Sequence, residues 1–434
     1  MTDNAHTDQT APAPSAAAAA APEKRRPLKS RAGLARARRI VVKVGSSSLT
    51  SVAGGISDDA LQQLAAVLSA RHRQGTEIIF VSSGAISAGL APLGLTKRPS
   101  HLSTQQAAAS VGQGLLMARY NEFFSRHGVT VSQVLLTVED LMRRSTHANA
   151  HRAMERLLNF GVLPIVNEND TVASHEIRFG DNDRLAALVA HLVKADALIL
   201  LSDVDALYDG PPAAGAVRIP EVTGPKDLED VRIGKVGRAG TGTGGMVTKV
   251  EAATIAAASG IPALVTSTAN AAAALAGEDV GTWFSTRGRR QPIRLLWLAH
   301  LARIRGTLVL DDGAVKAVGQ RRRSLLAAGI TEVRGSFEPG DPVALADSRG
   351  VVVAHGLTNY GSDELPAMLG RSTRELSQER GSSYDRAVVH VNDLVVLPGS
   401  RHADALSAGP EEPSRLPAGL PDAAPAPSDV PTAN

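Results

Sequence analysis

The sequence predicts an α/β fold, a doubly wound and mainly parallel sheet, followed by a small, mainly β domain. Three observations predict it. Short runs such as IVVKV (residues 40–44), EIIFVS (77–82), VLPIV (162–166) and ALILL (197–201) are predominantly apolar, as strands buried on both faces are. The stretches between them carry apolar residues at helical spacing, and such alternation builds a parallel sheet covered by helices on both sides. Beyond Arg290 the texture changes to short strands separated by Gly, Asp and Pro turns.

Taken in order, the strand over 40–44 breaks into Gly45-Ser46-Ser47-Ser48. Ser57-Asp58-Asp59 then caps a helix whose apolar positions Leu61, Leu64, Val67 and Leu68 follow an i, i+3, i+4 rhythm. A second strand over 77–82 ends in Ser83-Gly84-Ala85. Residues 102–124 read as one long helix or two short ones. Strands follow at 129–136, 162–166, 197–201 and 261–265, and helices at 145–160, 181–193 and 246–258. In the second domain, strands are expected at 307–310, 331–335, 342–345, 351–357 and 388–391, with one helix starting near Gly313. The domain division is therefore 38–290 for the α/β unit, 291–302 for a connector and 303–400 for the β unit. Residues 1–37 (Ala/Pro-rich, then basic) and 401–434 have too little apolar variety to fold and are expected to be disordered.

Composition narrows the function classes. Charged residues make up 21% of the 434 and hydrophobic residues 43%, so most of the chain can bury a core. The absence of cysteine excludes disulfides, thiolate catalysis and Cys-ligated zinc. No apolar run reaches the ~18 residues of a membrane span, and no signal-peptide pattern opens the chain; a cytoplasmic location is expected. The net charge of +3 is misleading: residues 23–39 alone carry eight basic side chains against Glu23, which leaves the remainder negative. A solvated basic arm accounts for this better than nucleic-acid binding. Arg321-Arg322-Arg323 could meet RNA, but residues 303–400 hold 12 basic and 12 acidic side chains, so that domain has no net positive field.

In doubly wound sheets, ligands bind at the carboxyl ends of the strands. Lys43, Ser83, Asn167 and Ser202-Asp203 all fall there. Lys43 leaves a strand into a Gly/Ser turn, a point charge beside free backbone N–H groups, which suits phosphate. Asn167-Glu168-Asn169-Asp170 follows a strand; simple turn chemistry would explain one or two such residues, but four exceed it. Asp181 suits a helix N-cap, which leaves Asn182 and Asp183 free to face the strand ends. Gly240 to Gly245 formally contains G-x-G-x-x-G, but no strand directly precedes it, and Lys249 lacks the preceding glycine of a Walker A loop. What remains is a glycine loop, a helix N-terminus and a lysine one turn in, a good anion site. His147 and His151 are spaced as metal ligands can be but match no zinc pattern, so no protein-held metal is expected.

Together, VVKVGSSSLT (41–50), VSSGAISAGL (81–90), NENDTVA (167–173), FGDNDRLAAL (179–188), LSDVDALY (201–208) and GTGGMVTK (242–249) resemble the amino acid kinase family. The resemblance is to its glutamate-phosphorylating branch, for which NENDxVA followed by GDND is the specific pattern. It covers about 38–290, and 306–397 looks like a PUA domain. Ser46 and Ser202 stand where threonine is common, and both keep the hydroxyl. The resemblance implies ATP-dependent phosphorylation of the γ-carboxylate of L-glutamate, with Mg²⁺ arriving on ATP, for proline synthesis. Lys43 and Lys249 would be cationic clamps, Asp183 would orient them, and the backbone of Gly45, Ser46 and Gly84 would stabilise developing charge. Ser83, Asn167, Asp170, Asp181 and Asn182 would bind glutamate. Lys43, Ser202, Asp203, Thr243, Gly244, Gly245, Met246, Val247, Thr248 and Lys249 would contact the nucleotide. Proline as feedback inhibitor, a homo-oligomer (dimer or tetramer) and a γ-glutamyl phosphate reductase as partner are also implied. The alternatives are a related kinase acting on acetylglutamate, aspartate or UMP, or an RNA-binding role for the PUA-like segment.

Overall fold

The computed structural model describes residues 28–49, 56–172, 182–210, 215–229, 231, 245–286, 293–300, 302, 304–320, 323–381 and 384–397. The first strand, β1 (Arg39–Val44), is buried along its whole length. Helix α1 (Asp58–Arg73) follows, its Ser57 cap accepting from the Ala60 N–H at 3.4 Å. Next come β2 (Glu77–Val81), the short α2 (Ala85–Leu90) and α3 (Leu102–Ser125), a single long helix. Then β3 (Val131–Leu136), α4 (Val138–Met142), α5 (Arg144–Asn159) and β4 (Leu163–Glu168) lead to α6 (Asn182–Leu192) and β5 (Ala197–Ser202). The domain ends with β6 (Glu221–Val222), α7 (Met246–Ala258), β7 (Ala263–Ser267), α8 (Ala271–Ala276) and β8 (Thr282–Phe284). The strand order is β3-β4-β2-β1-β5-β7-β8-β6. All paired neighbours are parallel except β7 and β8. The chain leaves β1 towards β2 and later returns on its other side as β5, so the direction of winding reverses at β1, where such sheets form their crevice.

The two-residue period of a strand decides which way Lys43 points. Ile40, Val42 and Val44 enter the core beneath α1, α3 and α8. Val41 enters the opposite core, which α6 and α7 line. Lys43 shares the parity of Val41 and therefore faces α6 and α7. So does Arg39, at the other end of the strand. Arg39 donates to the Val193 carbonyl at 2.5 Å, just beyond the last turn of α6, and to Glu77 and Glu155. Burial opposes the Arg39 charge, but these two carboxylates raise the guanidinium further above its ordinary value. From Asp183 to Val193 a helix advances ~15 Å, while Arg39 to Lys43 spans ~13 Å of strand. The near-match lets β1 grip α6 at both ends.

On the other face, α2 and α3 cross almost backbone to backbone. A Cβ at Gly112 would lie 1.9 Å from the Ala85 carbonyl oxygen, and one at Gly89 1.9 Å from that of Ala108. Only glycine permits this approach, and it pins α3 to the helix that begins where β2 ends.

The leader expectation needs correction for its last ten residues. Residues 31–36 form a 3-10 helix, Leu34 is fully buried in the α1/α3/α8 core, and Arg31 pairs with Asp279. One well-placed leucine anchors a stretch whose composition suggested a solvated arm. The rest of the leader and residues 401–434 lie outside the described residues.

The second unit follows α9 (Ile293–His300). Its five-stranded sheet runs β10-β9-β11-β12-β13, from β9 (Gly306–Leu310), β10 (Ile330–Gly335), β11 (Pro342–Ala346), β12 (Val352–Thr358) and β13 (Val389–Val396). Two helices accompany it where one was expected: α10 (Asp312–Gly319) and α11 (Thr373–Arg380), the second started by a Ser372/Glu375 capping box. Helix α9 joins the units: Trp297 packs against the α6/α7 core, Arg294 pairs with Asp393 at 2.6 Å, and His355 Nδ1 lies 3.1 Å from the Leu298 carbonyl oxygen.

Gly112→Ala is expected to cost at least ~3 kcal/mol, the upper end of overpacking penalties. Gly114→Ala on the same helix meets nothing within 4 Å and should gain ~0.5–1 kcal/mol of helix propensity. Chemical denaturation of both variants checks the pair; equal stabilities would contradict the close crossing.

Candidate active site

At the carboxyl end of β1 two lysines converge on one buried carboxylate. Lys43 Nζ lies 2.5 Å from Asp183 Oδ1, and Lys249 Nζ 3.2 Å from Asp183 Oδ2. Asp183 is wholly buried, and the lysine side chains are only 3% and 6% exposed. Thr248 Oγ1 lies 3.1 Å from Asp183 Oδ2. The geometry follows from local structure: β1 aims Lys43, the first turn of α6 supplies Asp183, and the first turn of α7 supplies Thr248 and Lys249. Among the described residues, the ion pairs of this centre set two ammonium groups against one carboxylate. Holding like charges together out of water is costly unless an anion is to sit there, so the centre suits a multiply charged phosphate.

The loops around it carry hydroxyls and backbone donors. Ser46 heads a 3-10 turn (Ser46–Ser48) and faces Gly84: a Cβ on Gly84 would lie 3.6 Å from the Ser46 Cβ. Gly84 has φ of 97°, which favours glycine, and from there α2 starts. The Gly45 N–H, expected to be available to a ligand, instead donates to the Leu201 carbonyl at 3.3 Å. It extends the ladder between β1 and β5 by one residue. Ser202 donates to Asp203 at 3.0 Å, and Thr268 Oγ1 donates to the Ser202 carbonyl, which ties the ends of β5 and β7 together. Thr248, expected on the nucleotide, is within reach of Asp183 and of the Gly245 carbonyl.

A second group of residues forms a hydrogen-bonded relay. Asn182 Nδ2 spends both hydrogens, on the Ser82 carbonyl and on Asn167 Oδ1, each at 2.6 Å. Asn167 Oδ1 also accepts from the Glu168 N–H at 3.0 Å, and Asn167 Nδ2 donates to Gln113 Oε1 at 2.6 Å. Beneath the relay, Ser82 Oγ lies 2.7 Å from the buried Tyr120 hydroxyl. Burial pushes the Tyr120 phenol up, and the Ser82 bond offsets this only in part; the hydroxyl stays protonated and structural. Beside the relay lies a cavity of ≈ 290 Å³ between α3, β3 and the end of β4, lined by Ser110, Gln113, Gln133, Glu168, Asn169, Asp170 and Thr171 among others. That volume suits a small polar molecule.

The structure thus brings together Lys43, Ser46, Gly84, Asn167, Asn182, Asp183, Thr248 and Lys249 around one strand-end crevice, with Asp170 in the adjoining cavity. Ser83 and Asn182 do not line the cavity; the Asn182 amide is fully committed to its neighbours. Asn167 and Glu168 belong to β4 and not to a turn. Gly245 is the N-cap of α7, and Val247 projects outward with 39% exposure. Asp181, Thr243 and Gly244 lie outside the described residues. Gln113, Tyr120 and Ser82 were missed. The signal for Gln113 was the glycine before it, since glycine inside a helical pattern often marks a close approach. The two histidines of α5 do not join the centre. His147 is held below its ordinary pKa by burial and then by His151.

Asp183→Asn should lower stability by ~3–5 kcal/mol, because it removes the buried carboxylate that two buried ammonium groups share. The double variant Asp183→Asn/Lys249→Met should recover part of that loss in urea unfolding. A single variant as stable as the parent would contradict the arrangement.

Comparison with known proteins places the chain in a family. The amino acid kinase family model matches residues 38–267, and the PUA domain model residues 306–379. A glutamate 5-kinase from Streptomyces avermitilis is 61% identical over 85% of this chain and 98% of its own length. Glutamate 5-kinases from Thermobifida fusca and Streptomyces coelicolor are 58% and 60% identical, over 86% and 85% of this chain and 97% and 98% of theirs. The chain therefore belongs to the amino acid kinase family, as one of its glutamate 5-kinases with a C-terminal PUA domain.

Proposed function

We propose that the chain transfers the γ-phosphoryl group of ATP to the side-chain carboxylate of L-glutamate, giving γ-glutamyl phosphate and ADP for proline synthesis. The observation that supports this most is the buried Lys43–Asp183–Lys249 centre beside a cavity walled by Glu168 and Asp170. A glutamate side chain, with a pKa near ~4.3, is already ionised and needs no general base. The difficulty is bringing that anion up to a triphosphate, so the work of the site is electrostatic and positional. Lys43 acts on the acceptor side and Lys249 on the nucleotide side of the transferring group. Asp183 orients both lysines and takes no proton. As the acceptor oxygen bonds to phosphorus and the bond to the β–γ bridging oxygen breaks, charge gathers on the equatorial oxygens. The lysines and the backbone at Ser46 and Gly84 stabilise it there.

Asp170 meets the acceptor's ammonium group, which selects an amino acid over a plain dicarboxylate. Ser83, Asn167 and Asn182 shape the acceptor side, Asn167 and Asn182 through the relay. Ser202, Asp203 and the Gly245–Lys249 turn serve the nucleotide. Mg²⁺ arrives on the triphosphate, held mainly by its phosphate oxygens. Proline shares the ammonium and α-carboxylate of glutamate, so it would compete in the same cavity as a feedback inhibitor. A cytoplasmic homo-oligomer that hands its labile acyl phosphate to a reductase completes the proposal.

Trapping the acyl phosphate with hydroxylamine tests the chemistry. L-glutamate, N-acetylglutamate and L-aspartate are offered separately with ATP and Mg²⁺. Hydroxamate should form with L-glutamate alone, and Lys249→Ala should reduce its rate by ~10³-fold or more. Hydroxamate from another acceptor only would keep the phosphoryl chemistry and overturn the substrate.

A further inference from the structure

The relay beside the active centre has ends whose chemistry is unambiguous. A backbone carbonyl only accepts, so the Ser82 carbonyl fixes which side of the Asn182 amide is nitrogen. A backbone N–H only donates, so the Glu168 N–H fixes which side of the Asn167 amide is oxygen. These two anchors agree, because Asn182 Nδ2 then meets Asn167 Oδ1 at 2.6 Å. The Asn167 nitrogen must therefore face Gln113, and Gln113 must present its oxygen to it, at 2.6 Å. The orientation of the Gln113 carboxamide follows by elimination. Its NH₂ group is left on the far side, and Gln113 lines the cavity that also holds Glu168 and Asp170.

The seat of this side chain is rigid. Gln113 follows Gly112, whose backbone touches the Ala85 carbonyl at the start of α2. Helix α3 cannot slide without breaking that crossing. Gln113 thus stands at a fixed place in the wall of a cavity whose acidic side chains are Glu168 and Asp170. A ligand entering there with its own carboxylate would be repelled unless a donor received that group.

We propose that Gln113 is an acceptor-binding and specificity-determining residue: its NH₂ group donates to the α-carboxylate of an amino acid whose ammonium group faces Asp170. This rests on the reading of the cavity as the amino acid acceptor site. The oxygen of the same carboxamide positions Asn167 and, through it, Asn182, the residue before Asp183. One side chain therefore both reads the acceptor's head group and holds the relay beside the phosphoryl-transfer centre.

The test uses the full chain, the hydroxylamine assay and two acceptors, L-glutamate and its α-amide, which lacks the α-carboxylate charge. Gln113→Ala removes both functions. Gln113→Glu keeps an oxygen to accept from Asn167 but removes the donor. Both variants should raise KM for L-glutamate by ~10–100-fold, the range for a lost hydrogen bond to a charged group, with KM for ATP changed less than about twofold. In both, the preference for L-glutamate over the α-amide should fall at least ~10-fold, which a merely structural residue would not bring about. An unchanged preference, or a fall in kcat alone with both KM values kept, would overturn the proposal. If Gln113→Ala fails to fold, Gln113→Glu carries the comparison by itself. No hydroxamate from the parent chain with L-glutamate would overturn the acceptor reading, and this proposal with it.

Discussion

Two ammonium groups held within bonding distance of one carboxylate, all three out of water, set the terms for the rest of the kinase domain. Such a cluster survives only if the backbone elements that carry it cannot drift, because each ångström of separation changes a poorly screened interaction. The fold meets that demand through the grip of β1 on α6. Lys43 holds the helix at its first turn through Asp183, and Arg39 holds it past its last turn through the Val193 carbonyl. The third member, Lys249, comes from α7, which packs beside α6 in the same core. The site and the hydrophobic core on that side of the sheet are thus parts of one arrangement.

The opposite face of the sheet does different work. There α3 walls the cavity beside the relay, and its place is set by the glycine crossing with α2 and by Tyr120 beneath Ser82. Strand parity divides the labour: odd positions of β1 face α6 and α7, while Asn167, at the end of β4, turns towards α3 and Gln113. The lysine–aspartate cluster and the neighbouring cavity therefore rest on different helix layers.

Much of this was legible in the sequence, for identifiable reasons. The strands buried on both faces announced themselves as apolar runs, and the Ser57 and Met246 helix starts carried ordinary boundary signals. Lys43, Asp183 and Lys249 stood out because charged residues at strand ends and helix starts exceed what capping requires. What could not be read was mutual commitment. Gly45 and Asn182 look available in a one-dimensional string, yet Gly45 spends its N–H on Leu201 and Asn182 spends its amide on Ser82 and Asn167. Gln113 was marked only indirectly, by the glycine before it; a single amide in an alanine-rich helix has no signature of its own, and its importance arises from a partner 54 positions away. The Leu34 segment was misjudged for the converse reason. Composition averages over a window, and one leucine that finds a hydrophobic site outweighs the basic residues around it.

Helix α9 has a consequence for how the chain can be divided. Its Trp297 is packed against the core that carries Asp183 and Lys249, while Arg294 and the Leu298 carbonyl are held by the small domain's own sheet. A cut before α9 would leave an apolar vacancy on the kinase domain, and a cut after it would remove the partners that hold the helix in place. The two units are thus modules by sequence pattern but share a structural element. Any graft of this kinase domain onto another C-terminal partner must carry α9 along and supply a new surface to receive it.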